Sequence, residues 1–151
     1  MSDLILSALK THANDLVESV HNYIDFDDLI IRKGAIRAYK NERMVIPFNM
    51  RDGMLICEGR SNPDWNYSCP HGAGRVLSRT KAKAELSLDE FKKQMEGIYS
   101  TSVCEATLDE APNSYKDADI IEKAIEPTAV IIDRIKPVLN IKDKTSSRRR
   151  R

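Results

Sequence analysis

From residue 2 to about residue 20, apolar side chains return near helical spacing at Ile5, Leu9, Leu16 and Val20. Ser2 or Asp3 can cap the first turn, so an amphipathic helix is predicted there. Four short runs follow, Leu29-Ile30-Ile31 and residues 35–39, 44–48 and 54–57. Each is alternating or continuously apolar, and Gly34, Lys40-Asn41-Glu42 and Arg51-Asp52-Gly53 separate them, which predicts strands joined by turns. Residues 59–70 read as a polar loop. A helix is predicted over 72–85, opening directly after the glycines, and Ser87-Leu88-Asp89-Glu90 fits the capping box of a second that ends at Gly97. Residues 99–104 read as a strand and 117–125 as a helix. Pro127 suits the first turn of another helix that Pro137 stops, and residues 138–142 read as a last strand. A helix, then strands, then a mixture of both predicts the α+β class.

At 151 residues, 41% hydrophobic and 31% charged, the chain has the size and composition of one soluble globular domain. No apolar run approaches the roughly 20 residues a membrane-spanning helix needs, so no membrane partner is expected. The start Met1-Ser2-Asp3-Leu4 lacks the features of a secretory signal. Cys57, Cys69 and Cys104 are scattered and form no C-x-x-C pair, which points to free thiols and a cytoplasmic protein. The net charge of +1 conceals an asymmetry. Lys144 and Arg148 to Arg151 place five positive charges in the last eight residues, and without them 19 Lys and Arg face 23 Asp and Glu, a net −4. The expected division is a domain over 1–143 and a disordered basic tail over 144–151, of a kind that binds nucleic acid non-specifically.

Candidate chemistry centres on Cys69-Pro70-His71-Gly72-Ala73-Gly74-Arg75. Glycines allow a phosphate close to the backbone, and a neutral imidazole nitrogen at the mouth of such a loop can attack phosphorus to give a transferable phosphoramidate. On its own the loop reads more readily as a tight turn. His21, in Val20-His21-Asn22-Tyr23, is a candidate metal ligand or an ordinary surface histidine. Asn49, in the turn after Ile46-Pro47-Phe48, could hydrogen-bond a ligand, Tyr115 could stack on a base, and Lys142 ends an apolar run.

Taken in order, these pieces resemble the RtcB family, the tRNA-splicing ligases. The matching residues are His21-Asn22-Tyr23, Arg32-Lys33-Gly34-Ala35, Ile46-Pro47 with Met50, His71-Gly72-Ala73-Gly74-Arg75, Leu77-Ser78-Arg79-Thr80-Lys81-Ala82-Lys83, Tyr115-Lys116-Asp117 and Lys142. The run from His71 to Lys83 is the most specific. The resemblance implies an RNA ligase that joins a 3′-phosphate or 2′,3′-cyclic phosphate RNA end to a 5′-hydroxyl, with GTP and Mn²⁺ as cofactors. It implies that His71 is the guanylylated histidine and that His21 is a metal ligand. It further implies that His21, Asn22, Pro47, Phe48, Asn49, Met50, Gly72, Ala73, Gly74, Tyr115 and Lys142 contact the nucleotide.

Two departures accompany the resemblance. Phe48 and Asn49 stand where many members carry glycine and a small polar residue, and Met54 stands where a serine often contacts the nucleotide. Family members are also about three times as long, beyond ordinary one-domain size, and their N-terminal part supplies an Asp, a Cys and two further His to the metals. The expectation is therefore the C-terminal part of such a ligase, needing an N-terminal half as partner. The alternative is a shortened paralogue that binds guanine nucleotide or RNA without catalysis.

Overall fold

In the computed structural model, residues 2–143 are described. A short helix α1 (Ser2–Ala8) leads through an extended segment to the hairpin β1 (Asn22–Asp25) and β2 (Ile30–Lys33). Next come β3 (Ala35–Arg37), β4 (Arg43–Pro47), β5 (Met54–Gly59), a 3-10 turn (Pro63–Trp65) and β6 (Ser68–Pro70). The second half holds α2 (Arg79–Glu85), α3 (Leu88–Gln94), β7 (Tyr99–Ser100), two 3-10 segments (Glu105–Glu110 and Pro112–Ser114), α4 (Ala118–Ile125), β8 (Ala129–Ile135) and β9 (Leu139–Asn140). The fold is α+β. β4, β5 and β8 form an antiparallel sheet in that order, β3 pairs with β6, and β7 runs parallel to β9.

Two apolar clusters hold the molecule. One joins Ile36, Met44, Ile46, Leu55, Cys57 and Cys69 from the strands to Ile121 and Ile125 of α4. The other gathers Met50, Phe91, Met95, Leu108 and Ala111 around α3 and the first 3-10 segment. Cys57 and Cys69 are free, buried thiols, and burial pushes the Cys57 thiol up to about 12, which keeps it protonated and inert.

The hairpin is tied to β6 by Arg32. Its guanidinium, only 1% exposed, donates to Asp25 Oδ2 (2.8 Å), Tyr23 Oη (3.0 Å) and Ser68 Oγ (2.9 Å). A buried charge is tolerated only when paired and hydrogen-bonded, and Arg32 meets both conditions. The strand that carries Ser68 leads directly into His71, so this bond set links the two segments of the candidate site.

Several predicted elements differ, among them the loop over 59–70, which holds β6, and the strand over 138–142, which is cut to Leu139–Asn140. The helix over 2–20 stops at Ala8 and buries no residue. Leu9, Leu16 and Val20 stay exposed, so the apolar stripe meets no partner, and without packing a short helix does not persist. The helix over 72–85 begins only at Arg79, because Gly74 takes φ +70 and Arg75 pairs with Tyr115 in a β-bridge. Ser78 caps it by accepting a hydrogen bond from Lys81 N (3.2 Å). Ser78→Ala is expected to cost about 1 kcal/mol, readable as a shift in urea midpoint. The predicted helix after Pro127 is instead β8, since Val130, Ile131 and Ile132 are β-branched and the strand pairs along β5, Val130 with Glu58 and Ile131 with Cys57. The strand over 99–104 is cut to Tyr99–Ser100 because Ser102 turns inward, where it is buried. Of the predicted Ser87–Glu90 capping box the serine half is present, with Ser87 Oγ accepting from Glu90 N (3.2 Å). The tail over 144–151 lies outside the described residues.

Candidate active site

His71 stands at the exit of β6, and His21 at the entrance to β1. Gly34, between β2 and β3, joins them. Its N–H donates to His21 O (2.7 Å) and Asn22 Oδ1 (2.9 Å), and its carbonyl accepts from His71 N (3.2 Å). A φ of +66 lets one residue face both segments, a conformation that favours glycine. The two imidazoles stack with centroids 4.0 Å apart and planes inclined by 11°. Burial, and then the neighbouring charge of His21, hold the His71 imidazole below its usual pKa, which favours the neutral ring.

The loop after His71 lies against the end of β4. Ala73 N donates to Pro47 O (3.1 Å), and the Ala73 side chain enters the first apolar cluster. A Cβ added at Gly72 would stand 3.1 Å from Pro47 O, so the close approach of these two backbones suits glycine. Gly74 O accepts from Lys116 N (3.1 Å), which brings Tyr115 alongside. The expected nucleotide residues His21, Asn22, Pro47, Gly72, Ala73, Gly74 and Tyr115 therefore form one connected surface with His71.

Residues 48–50 are adjacent, but their side chains are engaged inside the protein. Phe48 packs in the first cluster and Met50 in the second. Asn49 Oδ1 accepts from Arg51 N and Asp52 N (both 2.9 Å), and its Nδ2 donates to Asp52 Oδ2 (2.7 Å), the geometry of a turn-stabilising asparagine.

Lys142 reaches the same surface through a charged network. Tyr115 Oη donates to Glu110 Oε2 (2.9 Å), Lys142 Nζ pairs with that oxygen (3.2 Å), and Arg79 pairs with Glu110 Oε1 (2.7 Å) and Asp109 Oδ2 (2.5 Å). Arg75 donates to Tyr115 Oη (3.0 Å) and to Asp109 O, while Lys83 pairs with Asp109 Oδ1 (3.3 Å). Burial raises the Glu110 carboxyl, but the Tyr115 hydrogen bond and Lys142 outweigh it and hold the group below its usual range. Burial, reinforced by the Glu110 bond, pushes the Tyr115 phenol up to about 12. One of the five tyrosines is thus expected to ionise about two units above the ordinary value of about 10, with the late step absent from Tyr115→Phe in a 295 nm titration. The neutral phenol stabilises the fold below pH 10, and that contribution is lost as pH rises from 10 through 12.

Glu110, Asp109 and Ser102 escaped the sequence reading. Ser102 Oγ donates to Lys142 O (3.0 Å) and accepts from Lys142 N (2.9 Å), and Thr107 Oγ1 donates to Ser102 O, so a buried hydroxyl fixes the Lys142 backbone. The adjacent acids Asp109-Glu110 ahead of Pro112 were the one available signal, and an acidic pair is usually a solvated turn.

Among the described residues, no group of three or more His, Cys, Asp or Glu side chains could hold a metal ion. His21 is a single donor, and Mn²⁺ in protein sites takes about six ligands, so these residues alone do not fit that metal. Two surface clefts lie elsewhere, one of about 450 Å³ lined by Tyr23, Ile36 and Met44, the other of about 570 Å³ lined by Asp52, Asp117 and Lys136. No helix among the described residues is long and apolar enough to cross a membrane.

A stacked histidine pair on glycine-jointed loops, with the Glu110 network of Arg79, Tyr115 and Lys142 alongside, stands on an α+β scaffold. The model of a family described as tRNA-splicing ligase RtcB matches residues 2–143, and the chain belongs to that family. It is 31% identical over 139 residues to the RNA-splicing ligase RtcB of Escherichia coli (strain K12), an overlap of 88% of this chain and 34% of that protein. It is 32% identical over 139 residues to RNA-splicing ligase RtcB1 of Escherichia coli (strain ATCC 25922), with the same coverage. The tRNA-splicing ligase RtcB of Aeropyrum pernix is 29% identical over 130 residues, 73% of this chain and 27% of that one. The chain thus spans about a third of the length of the Escherichia coli relatives it matches.

Proposed function

We propose that this chain supplies the nucleotide-accepting histidine of an RNA ligase that joins a 3′-phosphate or 2′,3′-cyclic phosphate end to a 5′-hydroxyl. The observation that carries this reading is His71 itself. Its ring is stacked on His21, biased to the neutral form, and followed by a glycine that leaves the approach to Pro47 open. The lone pair of one imidazole nitrogen attacks the α-phosphorus of GTP, an N–P bond forms, and the bond to pyrophosphate breaks. An oxygen of the RNA 3′-phosphate then takes the GMP group from His71 and frees the imidazole. Attack by the RNA 5′-hydroxyl on the activated 3′-phosphate makes the new phosphodiester and releases GMP.

In this reading Arg75, Arg79 and Lys142 supply positive charge beside the loop, where guanidinium groups suit phosphate oxygens. Lys142 carries only donors and suits a carbonyl oxygen such as guanine presents. His21 would give Mn²⁺ one ligand, with the remaining donors outside this chain's described residues, and no step is assigned to the metal. The same shortage of donors favours the second reading, guanine-nucleotide or RNA binding without covalent transfer by this chain alone.

The test is incubation with GTP labelled at the α-phosphate and Mn²⁺, with and without the remaining two-thirds of an RtcB-family protein. Acid-labile label on the chain in the reconstituted mixture, absent with γ-labelled GTP, is the expected result. Reversible nucleotide binding without covalent label would establish the second reading instead.

A further inference from the structure

Cross-strand partners share a face of a sheet, so the pairing register sorts the residues of β4, β5 and β8. Met44, Ile46, Leu55 and Cys57 face the first apolar cluster and are buried. The opposite face carries the rows Val45–Ile56–Asp133 and Met54–Ile135, with Val130 opposite Glu58. That face is mixed, with the apolar Val45, Met54, Ile56, Val130 and Ile135 set beside the charged Arg43, Glu58 and Asp133. Val130 and Ile135 are 39% and 43% exposed, and Val45, Met54 and Ile56 are partly open.

β8 pairs with β5 along one edge only, and its other edge has no strand among the described residues. Ile132, at the register shift of β8, is 54% exposed. A continuous apolar run such as Ala129-Val130-Ile131-Ile132 is the pattern of a strand buried on both faces inside a larger sheet. An uncovered apolar edge is an invitation to pairing that native proteins normally close. The structure therefore shows a strand whose sequence expects an interior and whose surroundings supply half of one.

We infer that the outer face of the β4-β5-β8 sheet, together with the free edge of β8, is the docking surface for the part of an RtcB-type polypeptide that lies outside the matched region. The occupant follows from the page in two ways. The Escherichia coli relatives carry about twice as much chain again beyond the third matched here, so the family has a polypeptide of the required size. A second copy pairing β8 to β8 would close the edge but leave the apolar residues of the outer face open, whereas a larger polypeptide can cover both. Pro47, whose carbonyl accepts from Ala73 N beside His71, ends β4 of this same sheet, so the docked part would also border the candidate active site. The inference rests on family membership and the exposed surface, not on the chemistry of His71.

The test co-produces the full chain, affinity-tagged, with the portion of the Escherichia coli (strain K12) enzyme outside its matched third. A soluble one-to-one complex by light scattering is expected. Val130→Lys with Ile135→Lys should weaken capture at least tenfold, while Ile120→Lys, an exposed apolar position on α4, should leave it unchanged. All three sites are already open to solvent, and matching thermal melts of the isolated variants confirm that each still folds. Capture that survives the double substitution, a stable homodimer of the chain alone, or loss of both polypeptides from the soluble fraction would each overturn the inference.

Discussion

His71→Ala should abolish covalent nucleotide labelling in the reconstituted protein while leaving the chain folded. The fold survives because the bond that fixes this loop to Gly34 comes from the His71 backbone N–H, which alanine retains. What disappears is the imidazole alone. Without it no nitrogen lone pair is presented at this point of the loop, and transfer should fall by on the order of 10⁴-fold or more, as for enzymes stripped of their nucleophile. His21→Ala is the informative companion. It removes the stacked ring at 4.0 Å but leaves the proposed nucleophile, so some label should remain or recover at high Mn²⁺. Full labelling of His71→Ala would place the nucleotide on another residue and end the proposal.

Phe91→Ala has the largest expected effect on stability. Phe91 is fully buried and sits in the second cluster with Met50, Met95, Leu108 and Ala111. Truncating a buried phenylalanine costs about 3–5 kcal/mol, which for a chain of this size lowers the melting temperature by roughly 6–20 °C. Its functional side is specific. Leu108 is held by this cluster, and the next two residues, Asp109 and Glu110, gather Arg79, Lys83, Tyr115 and Lys142. Below its own melting point the variant should therefore show a lowered Tyr115 titration as well. A phenol that still ionises near 12 would mean that the acidic pair is held in place independently of the cluster.

Comparison of residues with elements explains what the chain disclosed in advance. The strands at β4 and β5 and the Ser87 cap were legible because burial alternation and Ser-to-N–H bonds are local signals. β8 was misread because Pro127 and Pro137 frame it as they would frame a helix, and only the pairing to β5, some seventy residues away, decides the matter. The α1 prediction failed for the converse reason. Its apolar period is genuine, but the helix buries none of its residues. At the site, residues with a motif around them were visible, namely His21, His71 and the glycines. Ser102, Asp109 and Glu110 carry no motif, and the bonds that bring them to the site, Ser102 to Lys142, Asp109 to Arg79 and Glu110 to Arg79 and Lys142, span long stretches of sequence.

Gly34 gives the site a mechanical property. One residue receives His71 on its carbonyl and is attached through its own N–H to His21 and Asn22, so the two histidines share a tether at this point. Local opening of the β1–β2 hairpin would release both imidazoles in one event rather than one after the other. Amide hydrogen exchange at Gly34 and at His71 should accordingly share a single opening free energy. The catalytic competence of the pair would then behave as an all-or-none quantity set by the stability of the hairpin, with Arg32 as its anchor.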